Sequence, residues 1–347
     1  MKPSVPSMSD IAKRAGVSKN TVSLALRRDP QISAATRRRI EGIARRLGYR
    51  KNATVARLMA EMRRSRDPGF QSCLALVNAN TDRLAFRNHP TIPEYVRGCT
   101  SRAEQLGYRW DEFWLHDPGL DGARLNKILR ARGIEGVIVV GLMRENRLPV
   151  RFLPTWESFA TVVTGVRTHG PALSFACTDH HMLGLKAFEN ALDLGYRRPG
   201  LVLDPVIDRL VDGRFTAGAQ TAQRGVPAAR RLRPCHPPAA ADGGRAAFRS
   251  WLRKEQPDVI LTLYNTVRHW LEDEGWKVPE QIGLIQLEWR AASPDWAGMN
   301  QHNDVVGQAA VEMVVSMIHN RESGVPSFPR ATMVGPTWVS GRTVVAG

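Results

Sequence analysis

Between Ile11 and Leu26 the chain sets two short amphipathic segments on either side of a single glycine, and this restricts its N-terminal fold more than any other feature. Ser9 and Asp10 are helix-capping side chains, whose oxygens accept the free N–H groups of a first turn. The run Ile11-Ala12-Lys13-Arg14-Ala15 follows them. Gly16 is expected to end that helix, because glycine enters the left-handed conformation of a tight turn without steric cost. Val17 then reads as a buried turn residue, and Ser18 as the cap of a second helix reaching about Leu26. Val22 and Leu26 lie four apart and share one face of it, which leaves Lys19, Asn20, Thr21 and Ser23 largely outside. A third helix is expected from Ser33, with Ile40, Ile43, Ala44 and Leu47 at helical spacing to cover the first two and Gly48-Tyr49 closing it.

The charge sits in the same place. The chain of 347 residues has a formal net charge of +16, and residues 1–66 alone hold seventeen Lys and Arg against four Asp and Glu. So concentrated a cationic segment fits a polyanionic partner. A glycine turn followed by a helix with polar residues at its N-terminal end can enter a major groove. There Lys19 and Asn20 could reach base edges, asparagine being suited to adenine. Hydroxyls and free N–H groups at the helix start suit phosphates.

The stretch Asp10-Ile11-Ala12, Ala15-Gly16-Val17-Ser18, Thr21-Val22-Ser23, Ile32-Ser33, Thr36-Arg37 and Leu47-Gly48-Tyr49 closely resembles the headpiece of the lactose-repressor (LacI/GalR) family, over nearly all of residues 8–59. The resemblance implies base reading by Lys19 and Asn20, and phosphate contacts by Ser18, Thr21, Ser23, Thr36 and Arg37. It departs at Leu24, where the family usually has arginine. The following segment, Arg50 to Met59, resembles a hinge helix that enters the minor groove of operator DNA. The resemblance assigns Asn52 and a wedging leucine to it, Leu58 being preferred over Met59. Lys51 stands where the family usually has proline.

From Ser72 the pattern changes to alternating strands and helices, which implies parallel sheets covered on both faces. Strands are expected at 73–77, 110–115, 136–140, 160–166, 200–203, 258–263 and 282–287. Helices are expected at 93–106, 125–132, 183–194, 215–223 and 246–254. Two such runs imply two lobes. This region resembles, more loosely, the family's periplasmic-binding-protein-like sensor over residues 72–343. The fold expected is therefore α/β: an all-α helix-turn-helix headpiece at 1–50, a hinge and linker at 51–71, and a two-lobed sensor with parallel sheets at 72–347. The first lobe would take 72–171 and 299–324, the second 172–298 and 325–347. Open α/β sheets bind ligands beyond the C-terminal ends of their strands, which in two lobes is the cleft between them. The resemblance places effector contacts there at Arg209, or alternatively Arg214, and at Asn265 and Gln301. Asn265 replaces the family's usual aspartate. Trp289, just past a strand, could stack on a sugar ring or a purine, or pack in the core.

No metal or cofactor is expected. Cys73, Cys99, Cys177 and Cys235 are scattered, and Asp179-His180-His181 lacks the further ligands a metal phosphoesterase needs. No phosphate loop, nucleophile elbow or His-Glu-x-x-His motif occurs, so an enzyme is not expected. Residues 1–6 carry no apolar signal segment, and no run approaches the ~18 apolar residues of a membrane span. A cytoplasmic homodimer, joined through the sensor lobes, is the expectation. Its partners would be double-stranded operator DNA and a small-molecule effector, a sugar or related metabolite. The alternative is a ligand-binding receptor with no operator-specific binding.

Overall fold

The structure is a computed structural model that describes residues 7–26, 31–47, 72–237 and 242–345. Residues 7–47 belong to one compact unit, together with Ser316–Glu322, and 72–315 with 323–345 make up the other.

The first unit contains α1 (Met8–Ala15), α2 (Lys19–Leu26) and α3 (Ala34–Arg46). The cap of α1 is Ser7, not Ser9. The Ser7 hydroxyl accepts the Asp10 N–H at 3.4 Å, while the Asp10 carboxylate accepts the Ser7 N–H at 2.8 Å and its hydroxyl at 2.7 Å. Asp10 is thus the third helical residue, and the two groups satisfy each other's backbone in a capping box. The bond from the Ser7 hydroxyl is the main cause holding the Asp10 carboxyl below the usual carboxylate range. Gly16 turns the chain at φ 61°, and its N–H reaches the Ala12 and Lys13 carbonyls. Ile11, Ala12 and Ala15 of α1, Val22 and Ala25 of α2, and Ile40, Ile43 and Ala44 of α3 are buried together. Val17, Leu26 and Leu47 pack against them. The three helices and their apolar faces follow the sequence expectation.

The second unit is built on two sheets. The first contains β1 (Ser72–Asn78), β2 (Tyr108–Trp114), β3 (Gly136–Val140), β4 (Ala160–Thr164), β5 (Ser174–Thr178) and β10 (Ala331–Val334), in the order β10-β5-β4-β3-β1-β2. All its pairings are parallel. The second contains β6 (Pro199–Val202), β7 (Val259–Thr262), β8 (Gly283–Gln286), β9 (Ala297–Asn300) and β11 (Thr337–Val339), in the order β11-β9-β8-β7-β6. It is parallel except at β11, which runs antiparallel to β9. Strands β3, β4, β6, β7 and β8 are buried along their whole length, as sheets covered on both faces require.

The lobe boundaries differ from those expected near 171, 298 and 325. Ser174–Thr178 pairs with β4, so the chain stays in the first lobe through Thr178. Ala297–Asn300 pairs with β8, so the return falls at Gln301 and His302. Ala331–Val334 pairs with β5, so the last crossing falls at Gly335 and Pro336. The three crossings are hydrogen-bonded to one another. The Thr178 hydroxyl donates to the Gln301 carbonyl at 2.9 Å, and the Asp179 N–H to the Val334 carbonyl at 2.9 Å. His302 Nε2 lies 2.8 Å from the Thr337 hydroxyl. They form one hinge between the lobes.

Candidate functional site

On α2 the Ser18 hydroxyl accepts the Thr21 N–H at 3.0 Å and lies 2.8 Å from the Thr21 hydroxyl. Both hydroxyls therefore stand at the helix N-terminus, where unpaired N–H groups and the helix dipole favour an anion. Lys19 is exposed beside them. At α3 the Ser33 hydroxyl accepts the Thr36 N–H at 3.3 Å and donates to the Thr36 hydroxyl at 3.0 Å. Arg37 is half-buried, and one of its terminal nitrogens donates to the Ile32 carbonyl at 3.2 Å, tying the loop before α3. The side chains of Asn20 and Ser23, and all of Asn52, Leu58 and Met59, lie outside the described residues. Lys13, Arg14, Arg38, Arg39, Arg45 and Arg46 are exposed cations that the sequence reading left without a role.

In the second unit a cleft of about 760 Å³ opens at the C-terminal ends of the strands, between the two lobes. The segments that line it follow directly on β1, β3 and β4 in the first lobe and on β7 and β8 in the second. Its size is that of a small-molecule site. The lining includes three carboxylates, Asp82, Glu145 and Glu288, and three arginines, Arg144, Arg147 and Arg290, and is thus balanced in charge.

Of the four effector residues expected, Asn265 and Gln301 line the cleft. The Asn265 carbonyl oxygen accepts from Gln286 at 2.8 Å, which leaves the amide nitrogen as donor to a bound molecule. Gln301 is buried at the hinge and donates to the Leu287 carbonyl at 2.9 Å. Arg209 does not line it. On the helix Pro205–Leu210 the cleft-lining residues are Ile207 and Leu210, three apart, and that register turns Arg209 to the exposed side. Arg214 does not line it either: its guanidinium donates to the Val211 carbonyl at 2.9 Å and lies 3.5 Å from the Cys177 sulfur. Trp289 packs against the second lobe's core, as Tyr264 and Trp270 do. Its neighbours Glu288 and Arg290 line the cleft.

Glu288 and Arg290 were missed: the strand ends at Gln286, the chain bends at Leu287 and Glu288, and its alternation does not run on to them. They form a polar cluster that joins the lobes. The Glu288 carboxylate accepts from Arg290 at 2.6 Å and from the Thr91 hydroxyl at 3.2 Å; its other oxygen accepts from the Asn303 amide at 3.1 Å. His89 Nδ1 accepts the Thr91 N–H at 3.1 Å, and burial, then the Arg290 charge, push the His89 pKa down. His180 is 4% exposed and packs edge-on against Phe215 at 4.8 Å. Burial, then Arg214, push its pKa down to about 3, so it is neutral across the physiological range. The helices that carry these two rings pack backbone to backbone. A Cβ on Gly218 would stand 2.1 Å from the His181 carbonyl oxygen. Glycine is what permits that approach.

The imidazole of His180, the amides of Asn265 and Gln301, the Thr91 hydroxyl and the Glu288–Arg290 pair can bind an uncharged, hydroxyl-bearing molecule through several hydrogen bonds. Among the described residues no group of three His, Cys, Asp or Glu could hold a metal ion. Among them, too, no helix is long and apolar enough to cross a membrane.

Residues 7–52 match the family model "Bacterial regulatory proteins, lacI family", and residues 188–344 match "Periplasmic binding protein-like domain". The HTH-type transcriptional regulator CelR of Thermobifida fusca is 23% identical over 333 residues, which cover 90% of this chain and 92% of that protein. The structure of a transcriptional regulator CelR–cellobiose complex aligns at a TM-score of 0.59 and 19% identity, over 97% of this chain and 99% of that one. The lac repressor dimer bound to operator and the anti-inducer ONPF aligns at 0.57 and 19% identity, over 98% and 99%. These likenesses carry the fold: a helix-turn-helix unit followed by a two-lobed binding domain.

Proposed function

The chain belongs to the LacI family of bacterial regulatory proteins, and on that premise we propose that it binds operator DNA through α2 and is regulated by a small polar molecule held in the interlobe cleft. The observation that carries this reading is the pairing, in one chain, of a cationic helix-turn-helix unit with a hinged cleft of about 760 Å³. Two copies would each place one α2 in a half-site of a near-palindromic operator. Lys19 and Asn20 would read bases. Ser18, Thr21, Ser23, Thr36 and Arg37 would hold phosphates, and Asn52 and Leu58 would act in the minor groove. The protein would work in the cytoplasm as a regulator and not as an enzyme, repressing where its operator overlaps a promoter. The effector would be a sugar or related metabolite, in keeping with the balanced charge of the cleft. Cellobiose in the CelR complex makes a disaccharide the first class to try.

Ligand and DNA affinities are then coupled reciprocally, typically by 1–3 kcal/mol. The test is titration of the full chain onto duplexes from its own genomic neighbourhood at moderate salt, with and without a panel of mono- and disaccharides. One duplex should compete at least a hundredfold better than bulk DNA, and one sugar should change that ratio. Failure of every duplex to compete would overturn the reading. Within the cleft, Asn265→Ala should weaken the active sugar by about tenfold, the worth of one good hydrogen bond, while Arg209→Ala should leave its affinity unchanged. Isothermal titration checks both, and the reverse ranking would return the ligand to the Arg209 side of its helix.

A further inference from the structure

We propose that Leu24 is a base-reading residue that recognises the 5-methyl group of a thymine in each operator half-site; this rests on the operator-binding reading above. Helical positions advance by about 100° per residue. From Val22, the buried centre of the inner face of α2, Ala25 and Leu26 fall about 60° to one side and about 40° to the other, and all three meet the core of the unit. Leu24 falls about 200° from Val22, on the opposite side of the helix. It is only partly covered and is not among the residues packed against that core. The position of Asn20, about 160° from Val22, lies one turn before it on the same outward face, and half-covered Thr21 flanks that face.

A leucine in a short helix ordinarily serves the core, and this one is turned away from it, among polar residues. Its side chain neither donates nor accepts a hydrogen bond. It therefore cannot read the donor and acceptor pattern of guanine, adenine or cytosine. The apolar group that unmodified DNA presents in the major groove is the thymine methyl. An outward leucine on the helix that enters that groove is thus fitted to a T·A pair, and it is wasted on a G·C pair.

Selection of bound duplexes from a random library by the full chain, by Leu24→Ala and by Leu24→Met tests the proposal. Each thymine of the selected site is then replaced by deoxyuridine, which removes the methyl and nothing else. One thymine per half-site should lose about fourfold in wild-type affinity when demethylated, the worth of one buried carbon. Leu24→Ala should bind the thymine and uracil duplexes alike, and Leu24→Met should keep the discrimination. The proposal is overturned if no thymine shows a methyl dependence. It is equally overturned if Leu24→Ala retains the wild-type dependence, which would give the methyl contact to another residue and Leu24 to a protein surface. If wild type selects no sequence at all, operator binding itself fails, a result distinct from either of these. The far-UV spectrum of each variant should match wild type, because Leu24 takes no part in the core.

Discussion

Replacing Glu288 by alanine is expected to destabilise the two-lobed unit by about 2 kcal/mol and to lower its melting temperature by about 5 °C. Glu288 is 8% exposed and receives hydrogen bonds from Arg290, Thr91 and Asn303. Among the described residues it is the one carboxylate within ion-pair distance of Arg290. Breaking a fully buried pair from one side costs about 3–5 kcal/mol. The Arg290 side chain is 32% exposed, so water recovers part of that cost. Thr91 and Asn303 belong to the first lobe and Glu288 to the second, so the same change also alters the balance between lobe arrangements. The sugar response should therefore shift along with stability. The double variant Glu288→Leu, Arg290→Leu separates the two effects. With no charge left unpaired it should melt within about 1 kcal/mol of wild type, yet still respond abnormally to ligand. Thermal denaturation and ligand titration of the three proteins check this. An unchanged melting point in the single variant, or a double variant that is the worst of the three, would show that the cluster does not join the lobes.

The cluster shows where sequence reading stops. The first unit could be read from the chain because each determinant is local: a glycine after Ala15, hydroxyls at Ser18 and Ser33, and apolar residues three and four apart. Even the misplaced cap at Ser9 erred by two residues. The cleft is assembled from strand ends that the sequence separates widely. The Thr178 hydroxyl finds its acceptor 123 residues away at Gln301, and Ser174 accepts from the backbone of Arg330, 156 residues away. Such partners are what allow Ser174–Thr178 to be a buried strand despite polar ends, and nothing within the run announces them. That is why the first lobe was cut short at 171. Arg209 was assigned by a spacing within a motif, but helix register decides which side chain meets the cleft, and Ile207 and Leu210 set that register. Trp289 could have stacked on a ligand or packed in the core; it does the latter, and its two charged neighbours line the cleft.

Replacing Ile40 by alanine should have the opposite consequence, abolishing operator binding while leaving the sugar site intact. Ile40 is fully buried in α3, against α1 and α2. Truncating a buried isoleucine costs about 2–5 kcal/mol, the larger values applying where the surroundings cannot close on the cavity. Among the described residues the core it belongs to contains eight buried residues, all isoleucine, valine or alanine. A core of that size supplies only a few kcal/mol of net stability, so the loss is comparable to the whole. The unit should unfold, and with it α2, on which Lys19 and Leu24 are held. Specific operator affinity should fall more than a hundredfold. Among the described residues the cores that surround the cleft share none with this one, so ligand affinity measured on the same preparation should stay within about twofold of wild type, the effect on separate sites being additive to a few tenths of a kcal/mol. Proteolysis should cut first within residues 7–47, and saturating wild-type operator should slow that cleavage in the native chain, because a ligand of the folded state stabilises it. Parallel loss of sugar binding would mean that the two units fold as one, and retained operator affinity would mean that the three-helix packing is not what presents α2 to DNA.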